Sequence, residues 1–286
     1  MSNISASQVK ELREKTGLGL MDCKKALQDA NGDLDLAVEE LRKTSGLKAS
    51  KKSSRSAADG LIGIKNLEGK SFMVEINCET DFVARDDSFN AFMHEVLGIV
   101  SSSGDKSLEV LLEEGIEDKR EKLVQKLGEN IVVRRMASSA DNADFSGVYL
   151  HSNNKIGTII SIQGGSEEVA KDIAMHAAAT DPMAISPSDI PEEVIDKERE
   201  IYKAQSEETG KPQDIVEKMI EGKIRKFLSE VSLTEQDFVK DPNKTINDLL
   251  KDSNASIVSF TRFEVGEGIE VEKIDFASEV MSQIEG

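Results

Sequence analysis

The same order of secondary structure occurs twice along this chain: a β-hairpin, a helix, an insert and a later strand. Alternation of apolar with other side chains indicates the strands, and apolar residues at helical spacing indicate the helices. The hairpins span about 61–78 and 147–162, the helices 89–100 and 169–178, and the later strands 131–135 and 257–263. This repeat predicts an α+β protein with duplicated core subdomains, each an antiparallel sheet backed by helices.

A long insert interrupts the second copy. Pro182, Pro187 and Pro191 mark its beginning, and two helical segments follow at roughly 192–209 and 213–231. Apolar residues in both segments keep near-heptad spacing, which is typical of two antiparallel helices that form a coiled-coil arm. Two interpretations stay open: the arm pairs with a second copy of the chain as a homodimer, or it folds onto its own body.

Residues 1–46 predict three short helices. Ser5 can cap the first helix, the segment 16–19 interrupts it, and the turn at 31–33 caps the third. Three helices of this size form a small bundle, and the pattern resembles the ubiquitin-associated (UBA) type, which often serves as a docking module. The basic, serine-rich residues 47–59 predict a linker. No aromatic side chain lies among them, so an RNA-binding patch is disfavoured.

Charge is distributed unevenly along the chain. The net charge is −18; residues 1–55 contain 11 Lys or Arg and 8 Asp or Glu, whereas the remainder contains 25 and 46. An acidic body of this size repels phosphate groups, so no direct binding of nucleic acid is expected. No apolar run approaches the ~20 residues of a membrane span, and the polar N-terminus lacks a signal pattern, which predicts a cytoplasmic protein. Cys23 and Cys78 fit buried free thiols.

The sequence carries no catalytic motif. His94 and His176 lie on predicted amphipathic helices, where structural histidines are usual, and no phosphate-binding glycine loop, zinc spacing or nucleophile elbow is present. This pattern favours a binding protein that is not an enzyme and that needs no cofactor or metal. Two alternatives stay open: an adaptor that recruits another protein through the three-helix module, and a hydrolase that uses His151 with a nearby carboxylate.

The most informative local segment is 78–84, where a strand is followed by a helix. Thr80 or Asp81 can cap that helix, and the next residue is the bulky Phe82. An aromatic side chain on a capped turn can project outward as a rigid wedge. Phe82 also precedes Phe89 by seven residues and can instead begin the buried stripe of the following helix. The spacing alone favours this second interpretation.

Segments spread over the whole chain carry a family resemblance. They are Leu18–Leu27 with Asn31–Asp33, Thr80–Ala84, Gly128–Ile131, Ile173–His176, Gly222–Ile224 before Val231–Thr234, and Phe263–Ile269. In this order they resemble the elongation factor Ts family, whose members are guanine-nucleotide exchange factors of elongation factor Tu. The resemblance implies a three-helix head, a duplicated core, a coiled-coil arm, and a role in releasing GDP so that GTP can rebind.

The resemblance also implies which residues contact the partner GTPase. The residues implied beside the partner's Mg²⁺ site are Thr80, Asp81, Phe82 and Val83. In that arrangement Phe82 is the wedge, and Asp81 fixes the turn and contacts the partner. The residues implied on the partner's nucleotide domain are Arg13, Leu20 and Met21, and those on a more distant domain are His151 and Gly157. The Mg²⁺ ion belongs to the partner.

One domain division follows from the pattern and the resemblance together. It consists of a three-helix module (1–46), a basic linker (47–59), a first core subdomain (60–140), a second core subdomain (141–181 and 232–265), a coiled-coil or dimerisation arm (182–231) and a C-terminal module (266–286).

Overall fold

The computed structural model describes residues 4–207 and 212–270, and they form a mixture of helices and antiparallel strands. The helices are α1 (Ala6–Thr16), α2 (Leu20–Asp29), α3 (Leu34–Lys52), α4 (Asp81–Ala84), α5 (Asp87–Ser102), α6 (Leu108–Leu111), α7 (Glu117–Leu127), α8 (Glu167–Thr180), α9 (Glu192–Glu207), α10 (Gln213–Val231) and α11 (Ile246–Asp252). The strands are β1 (Asp59–Leu67), β2 (Lys70–Cys78), β3 (Val132–Ser138), β4 (Phe145–Leu150), β5 (Ile156–Gln163), β6 (Asp237–Phe238), β7 (Asp241–Thr245) and β8 (Ser256–Glu264).

The three-stranded sheets have the same strand order. One is β1-β2-β3 and the other is β4-β5-β8, so in both sheets the later strand pairs with the second strand of the hairpin. Strands β4 and β5 are antiparallel, with Phe145 opposite Ile162 and Leu150 opposite Gly157. The predicted α+β class with antiparallel sheets is confirmed. The short pair β6–β7 and the helix α11 were not predicted, because neither is long enough to show a periodic pattern.

The described residues divide into two compact units. The first comprises 4–61, 74–136 and 264–270, and the second comprises 62–73, 137–207 and 212–263. The structure departs here from the predicted division, which assigns the whole first hairpin to one subdomain. Hydrogen bonds within the second unit explain the difference: the Ile62 amide donates to the carbonyl of Asn154 (2.8 Å), and the Ser139 amide donates to that of Ser71 (2.9 Å).

Helices α1 to α3 pack around a small core in the first unit. Leu12, Cys23 and Leu27 are fully buried. Ser5 caps α1 in a reciprocal pair of hydrogen bonds with Gln8, which satisfies amide groups that a helix leaves free at its start. The predicted module of three helices is therefore present.

Helix α3 extends through the first half of the predicted linker. Ser45 and Ala49 follow Leu41 at four-residue steps, and both are 1% exposed, so the basic segment keeps one packed helical face up to Lys52. The Lys52 ammonium donates to the carbonyl of Gly128 at the end of α7. Composition suggested a tether, but packing on α7 makes this part of the chain helical.

Helix α8 lies very close to the second sheet. Small side chains line its buried face, and Gly147 of β4 lies against it. A Cβ atom at Gly147 would lie 2.1 Å from the carbonyl carbon of Ala170. Only glycine allows the strand and the helix to approach this closely. The core of this unit therefore depends on small residues, including Ala174 and Ala177.

Helices α9 and α10 contact each other along their length. Arg199 pairs with Glu221 (3.3 Å), and the ammonium of Lys223 lies 5.0 Å from the centre of the Tyr202 ring. Ile220 is buried on the inner side of α10. The predicted pair of helices is present, and the break predicted at 210–212 falls mostly on residues outside the described part.

Buried Glu75 holds the last described residues against the first sheet. Its carboxylate accepts the Gly266 amide (2.9 Å) and pairs with Arg134 (3.1 Å) and Arg135. Residues 271–286 of the predicted C-terminal module lie outside the described residues.

Candidate functional site

A single helical turn, α4, lies between β2 and α5, and we call Thr80–Val83 the tip. Thr80 has an extended backbone, and its hydroxyl accepts the amide of Val83 (3.4 Å), which caps the turn. The Phe82 side chain is 81% exposed. The interpretation that Phe82 begins the buried stripe of α5 is therefore wrong. Asp86 caps α5 separately, so the helix that carries Phe89 starts anew after the tip.

Val83 and Ala84 explain why the ring points outward. Their side chains are 9% and 2% exposed, so they occupy the inner side of this one-turn helix. In a helix, neighbouring residues point about 100° apart, and the position before Val83 is left on the outer side. Of the large apolar side chains in the described part of the chain, Phe82 is the most exposed, which makes the tip a candidate contact surface.

The carboxylate of Glu129 supports the base of the tip. It accepts the amides of Glu79 and Thr80, each at 3.0 Å, and the hydroxyl of Thr80 at 2.7 Å. The Glu79 carboxylate in turn accepts the amide of Asn130 (2.6 Å) and lies 3.5 Å from Arg55. None of these supporting residues was assigned a role from the sequence. The motif that begins at Gly128 was noted, but local periodicity gives no sign of a contact between segments 50 residues apart.

Asp81 contributes little to the shape of the tip. Its carboxylate pairs with Arg85 one turn later (2.8 Å), and both side chains are largely in solvent. The backbone of the turn is held by Thr80 and Glu129, as described above. The structure thus assigns the fixing of the turn to these two residues, whereas the resemblance implied Asp81.

Arg13, Leu20 and Met21 are all exposed on the three-helix module. Leu20 is 53% and Met21 is 76% exposed, and they are the first two residues of α2. Gly19 precedes them and provides no side-chain cap. Two adjacent apolar side chains in solvent form a second candidate contact surface in the first unit.

His151 and Gly157 lie in the second unit and differ in exposure. His151 is exposed in the turn between β4 and β5, and its Nδ1 lies 2.8 Å from the amide oxygen of Asn153. The hydrolase alternative requires a carboxylate beside His151, whereas the partner that His151 has here is the side-chain amide of Asn153. Gly157 is buried, and a Cβ atom would lie 2.7 Å from Ile62 and 2.8 Å from Met73. This position gives Gly157 a packing role and does not support the predicted partner contact.

The other candidate sites have structural explanations. His176 is buried, with Nε2 3.0 Å from Gln236 and Nδ1 accepting the amide of Val239. Cys23 and Cys78 are buried free thiols, as predicted. Over residues 4–207 and 212–270, no group of three metal-binding side chains comes together, and no helix is long and apolar enough to cross a membrane. A groove of about 720 Å³ lies between α9 and α10 and is open to solvent.

Comparisons with known proteins agree with this arrangement. A family model described as Elongation factor TS matches residues 79–267, which include the tip, strand β3 of the first sheet and all of the second sheet. The chain is 52% identical over 288 residues to an Elongation factor Ts of Hahella chejuensis, with all of both chains covered. It is 51% identical to that of Marinobacter nauticus (98% and 97% covered) and 50% identical to that of Francisella tularensis subsp. novicida (all of both covered). The chain therefore belongs to the elongation factor Ts family, and like its relatives it is a translation elongation factor and not an enzyme.

Proposed function

We propose that this chain is a guanine-nucleotide exchange factor that binds elongation factor Tu in its GDP-bound form and disrupts the Mg²⁺ site. GDP is then released, and GTP can rebind. The observation that carries the proposal is the 81% exposure of Phe82 on a turn that Thr80 caps and whose base Glu129 supports. A rigid apolar side chain held in water is suited to insertion into a partner surface.

In the proposed mechanism, this chain weakens the contacts by which the GTPase binds its nucleotide. Such proteins hold phosphate groups through backbone amides, a lysine and a bridging Mg²⁺ ion. Phe82 inserts beside that ion and displaces the elements that hold it, while Thr80 and Val83 shape the tip and Asp81 contacts the partner. This chain needs no cofactor, because the nucleotide and the metal both belong to the partner.

Magnitudes indicate that the tip does not act alone. Burial of one phenylalanine stabilises a complex by about 1.5–3 kcal/mol. A thousandfold faster release requires the activation free energy of GDP release to fall by about 4 kcal/mol. The remainder comes from contacts elsewhere: Arg13, Leu20 and Met21 on the nucleotide domain of the partner, and His151 on a more distant domain. In this proposal the three-helix module is UBA-like and docks the factor.

Two further features belong to the same proposal. Helices α9 and α10 form a coiled-coil arm, and homodimerisation through it is to be tested by light scattering. The protein works in the cytoplasm, where its partner and the reducing conditions that suit its two free thiols are found. Binding of the factor and binding of the nucleotide weaken each other equally, as linkage requires.

The test is release of fluorescent GDP from elongation factor Tu with and without this protein. Wild type is expected to accelerate release strongly, and Phe82→Ala to lower that acceleration by about tenfold or more, the equivalent of one buried ring. Met183→Ala is the matched control, because Met183 is also a large exposed apolar side chain (55%) but lies outside the tip.

Each alternative gives a different result. If the chain is an adaptor, it binds the GTPase or another protein without changing the release rate. If Phe82→Ala and Met183→Ala both retain the wild-type rate, the wedge is not the source of exchange. A fall in rate for both variants together points to general surface effects and also contradicts the mechanism.

A further inference from the structure

At the base of the tip, the carboxylates of Glu79 and Glu129 each accept backbone amides from the other's segment, and we call this pair of interactions the clasp. Glu129 accepts the backbone amides of Glu79 and Thr80 (3.0 Å each) and the Thr80 hydroxyl (2.7 Å). The Glu79 carboxylate accepts the backbone amide of Asn130 (2.6 Å). Each segment thus provides an acceptor for the amides of the other. Hydrogen bonds to ionised acceptors are among the strongest in proteins, so the segments are held in a fixed register.

The clasp determines the position from which the Phe82 ring projects. Helix α4 has only four residues, and one helical turn is not stable by itself in water. Glu129 accepts two backbone amides, those of Glu79 and Thr80, immediately before that turn. It also accepts the Thr80 hydroxyl, which in turn caps α4. The position from which the exposed ring projects is therefore set from outside α4.

The end of α3 holds the clasp in place. The side chain of Asn130 donates to the carbonyl of Arg55 (2.8 Å), and the Arg55 guanidinium lies 3.5 Å from Glu79. Lys52 donates to the carbonyl of Gly128. The Arg55 guanidinium offsets part of the repulsion between the two carboxylates, and all of these residues lie in the first unit. The basic segment after the three-helix module therefore braces the turn at 128–130.

We propose that Glu129 is the positioning residue of nucleotide exchange, acting on Phe82 through the backbone and hydroxyl of Thr80. The inference rests on the proposed function, because it assigns Phe82 as the acting group. Glu129 itself contacts no partner in this account. It keeps the ring pre-oriented, so that binding energy is not spent on ordering the tip.

The first experiment compares Glu129→Gln with Glu113→Gln. Glutamine has nearly the same shape but offers one acceptor oxygen and one donor group, so it cannot accept all three hydrogen bonds. Glu113 is exposed between α6 and α7 and controls for the lost charge. We expect the maximal GDP-release rate at saturating factor to fall about tenfold for Glu129→Gln, as loss of hydrogen bonds to a charged group predicts. The half-saturating concentration should change less than about threefold, because docking occurs elsewhere.

A double-mutant cycle with Phe82→Ala separates positioning from general stability. If Glu129 acts through the ring, Glu129→Gln has no further effect on the maximal rate once the ring is removed. Multiplying effects, or a Glu129→Gln variant with the wild-type maximal rate, overturn the inference. If Glu129→Gln does not fold, the pair Thr80→Val and Thr80→Ser decides: valine loses the hydroxyl that bonds Glu129 and serine keeps it, so valine should lower the maximal rate more than serine does, and equal rates overturn the inference.

The two proposals fail in different ways. If the wild-type factor does not accelerate GDP release, the proposed function is wrong and the positioning role falls with it. If wild type accelerates release and Phe82→Ala slows it, but the Glu129 effect is absent or independent of the ring, only the positioning role is wrong.

Discussion

The junction between the hairpin and the helix that follows it is built differently in the two copies of the repeat. In the first unit, eight residues (79–86) connect β2 to α5 and include the capped turn α4. In the second unit, three residues (164–166) connect β5 to α8. Gly164 and Gly165 both have φ of +69°, and a Cβ atom at Gly164 would lie 2.2 Å from the carbonyl of Asn254. The backbone of the second junction lies close against residues 253–255, whereas the first junction presents an exposed aromatic ring.

This difference indicates which residues carry function. The sheets share one strand order, so the repeated architecture by itself does not distinguish them. Only the longer junction has a side chain such as Phe82 held out in solvent, with Glu129 supporting its base. Under the proposed function, activity depends on the extra residues of one connection, and the fold provides a stable base on which to fix them.

The largest expected effect is on stability of the second unit and leaves the tip untouched. Gly147→Ala places a methyl group 2.1 Å from the backbone of Ala170, so β4 and α8 must separate. We expect the free energy of unfolding, measured by urea denaturation, to fall by about 3 kcal/mol or more. Gly222→Ala is the control, because it lies in α10 with nothing within 4 Å of its Cβ and should gain up to about 1 kcal/mol. Equal stability of the two variants contradicts the close-packing account.

Acid should weaken the second unit before the first. Burial lowers the pKa of His176 from its ordinary 6.5, and the hydrogen bond to Gln236 only partly opposes this. Because the unfolded chain then binds the proton first, stability contributed by this group is lost as the pH falls below about 6.5. Hydrogen-exchange protection of α8, corrected for the intrinsic rate, should decline between pH 7 and 5.5. His176→Gln should remove that dependence.

In the first unit, the buried carboxylate of Glu75 should lose its contribution to stability only at a lower pH than His176 does in the second unit. Burial tends to raise the pKa of Glu75, but the Gly266 amide, Arg135 and Asn77 outweigh it and hold the pKa below the ordinary 4.5. Stability from this carboxylate is complete above pH 4.5 and is lost as the pH falls toward the lowered pKa. Protection of α5 should therefore persist through the range in which α8 weakens. Simultaneous loss in both helices contradicts this order.

An intermediate effect is expected from one helix cap at each junction. Thr80 caps α4, and Ser166 accepts the amide of Val169 to cap α8. Alanine at either position should cost about 1 kcal/mol of unfolding free energy, measured by thermal denaturation. Only Thr80→Ala should also slow GDP release, because only that cap orients Phe82. A similar loss of exchange in Ser166→Ala would show that general stability, and not the tip, controls the rate.

Periodicity predicted the repeated sheets and helices because each long element has one buried face. It failed for Phe82, since a spacing of seven assumes one continuous helix, whereas Asp86 starts a new helix after the tip. It also gave no sign of Glu129, whose partners are backbone amides 49 and 50 residues away. Composition mistook the end of α3 for a linker, because the buried positions Ser45 and Ala49 are small residues that are equally common in loops.

The smallest expected effect tests what Asp81 does. Its ion pair with Arg85 is exposed, and exposed pairs contribute about 0–1 kcal/mol. Asp81→Asn should therefore change the unfolding free energy by less than about 0.5 kcal/mol, since Thr80 and Glu129 still hold the turn. Arg85→Ala is the matched comparison, because it removes the same ion pair and keeps the carboxylate.

A direct contact of Asp81 with the partner predicts slower GDP release for Asp81→Asn alone, by less than the effect of Phe82→Ala. Equal slowing in Asp81→Asn and Arg85→Ala would instead assign the effect to their ion pair. In that case the first junction depends on a surface interaction as well as on Glu129, and the turn is less rigid than its hydrogen bonds imply. Thermal denaturation of both variants, measured beside the release assay, distinguishes a weakened turn from a lost contact.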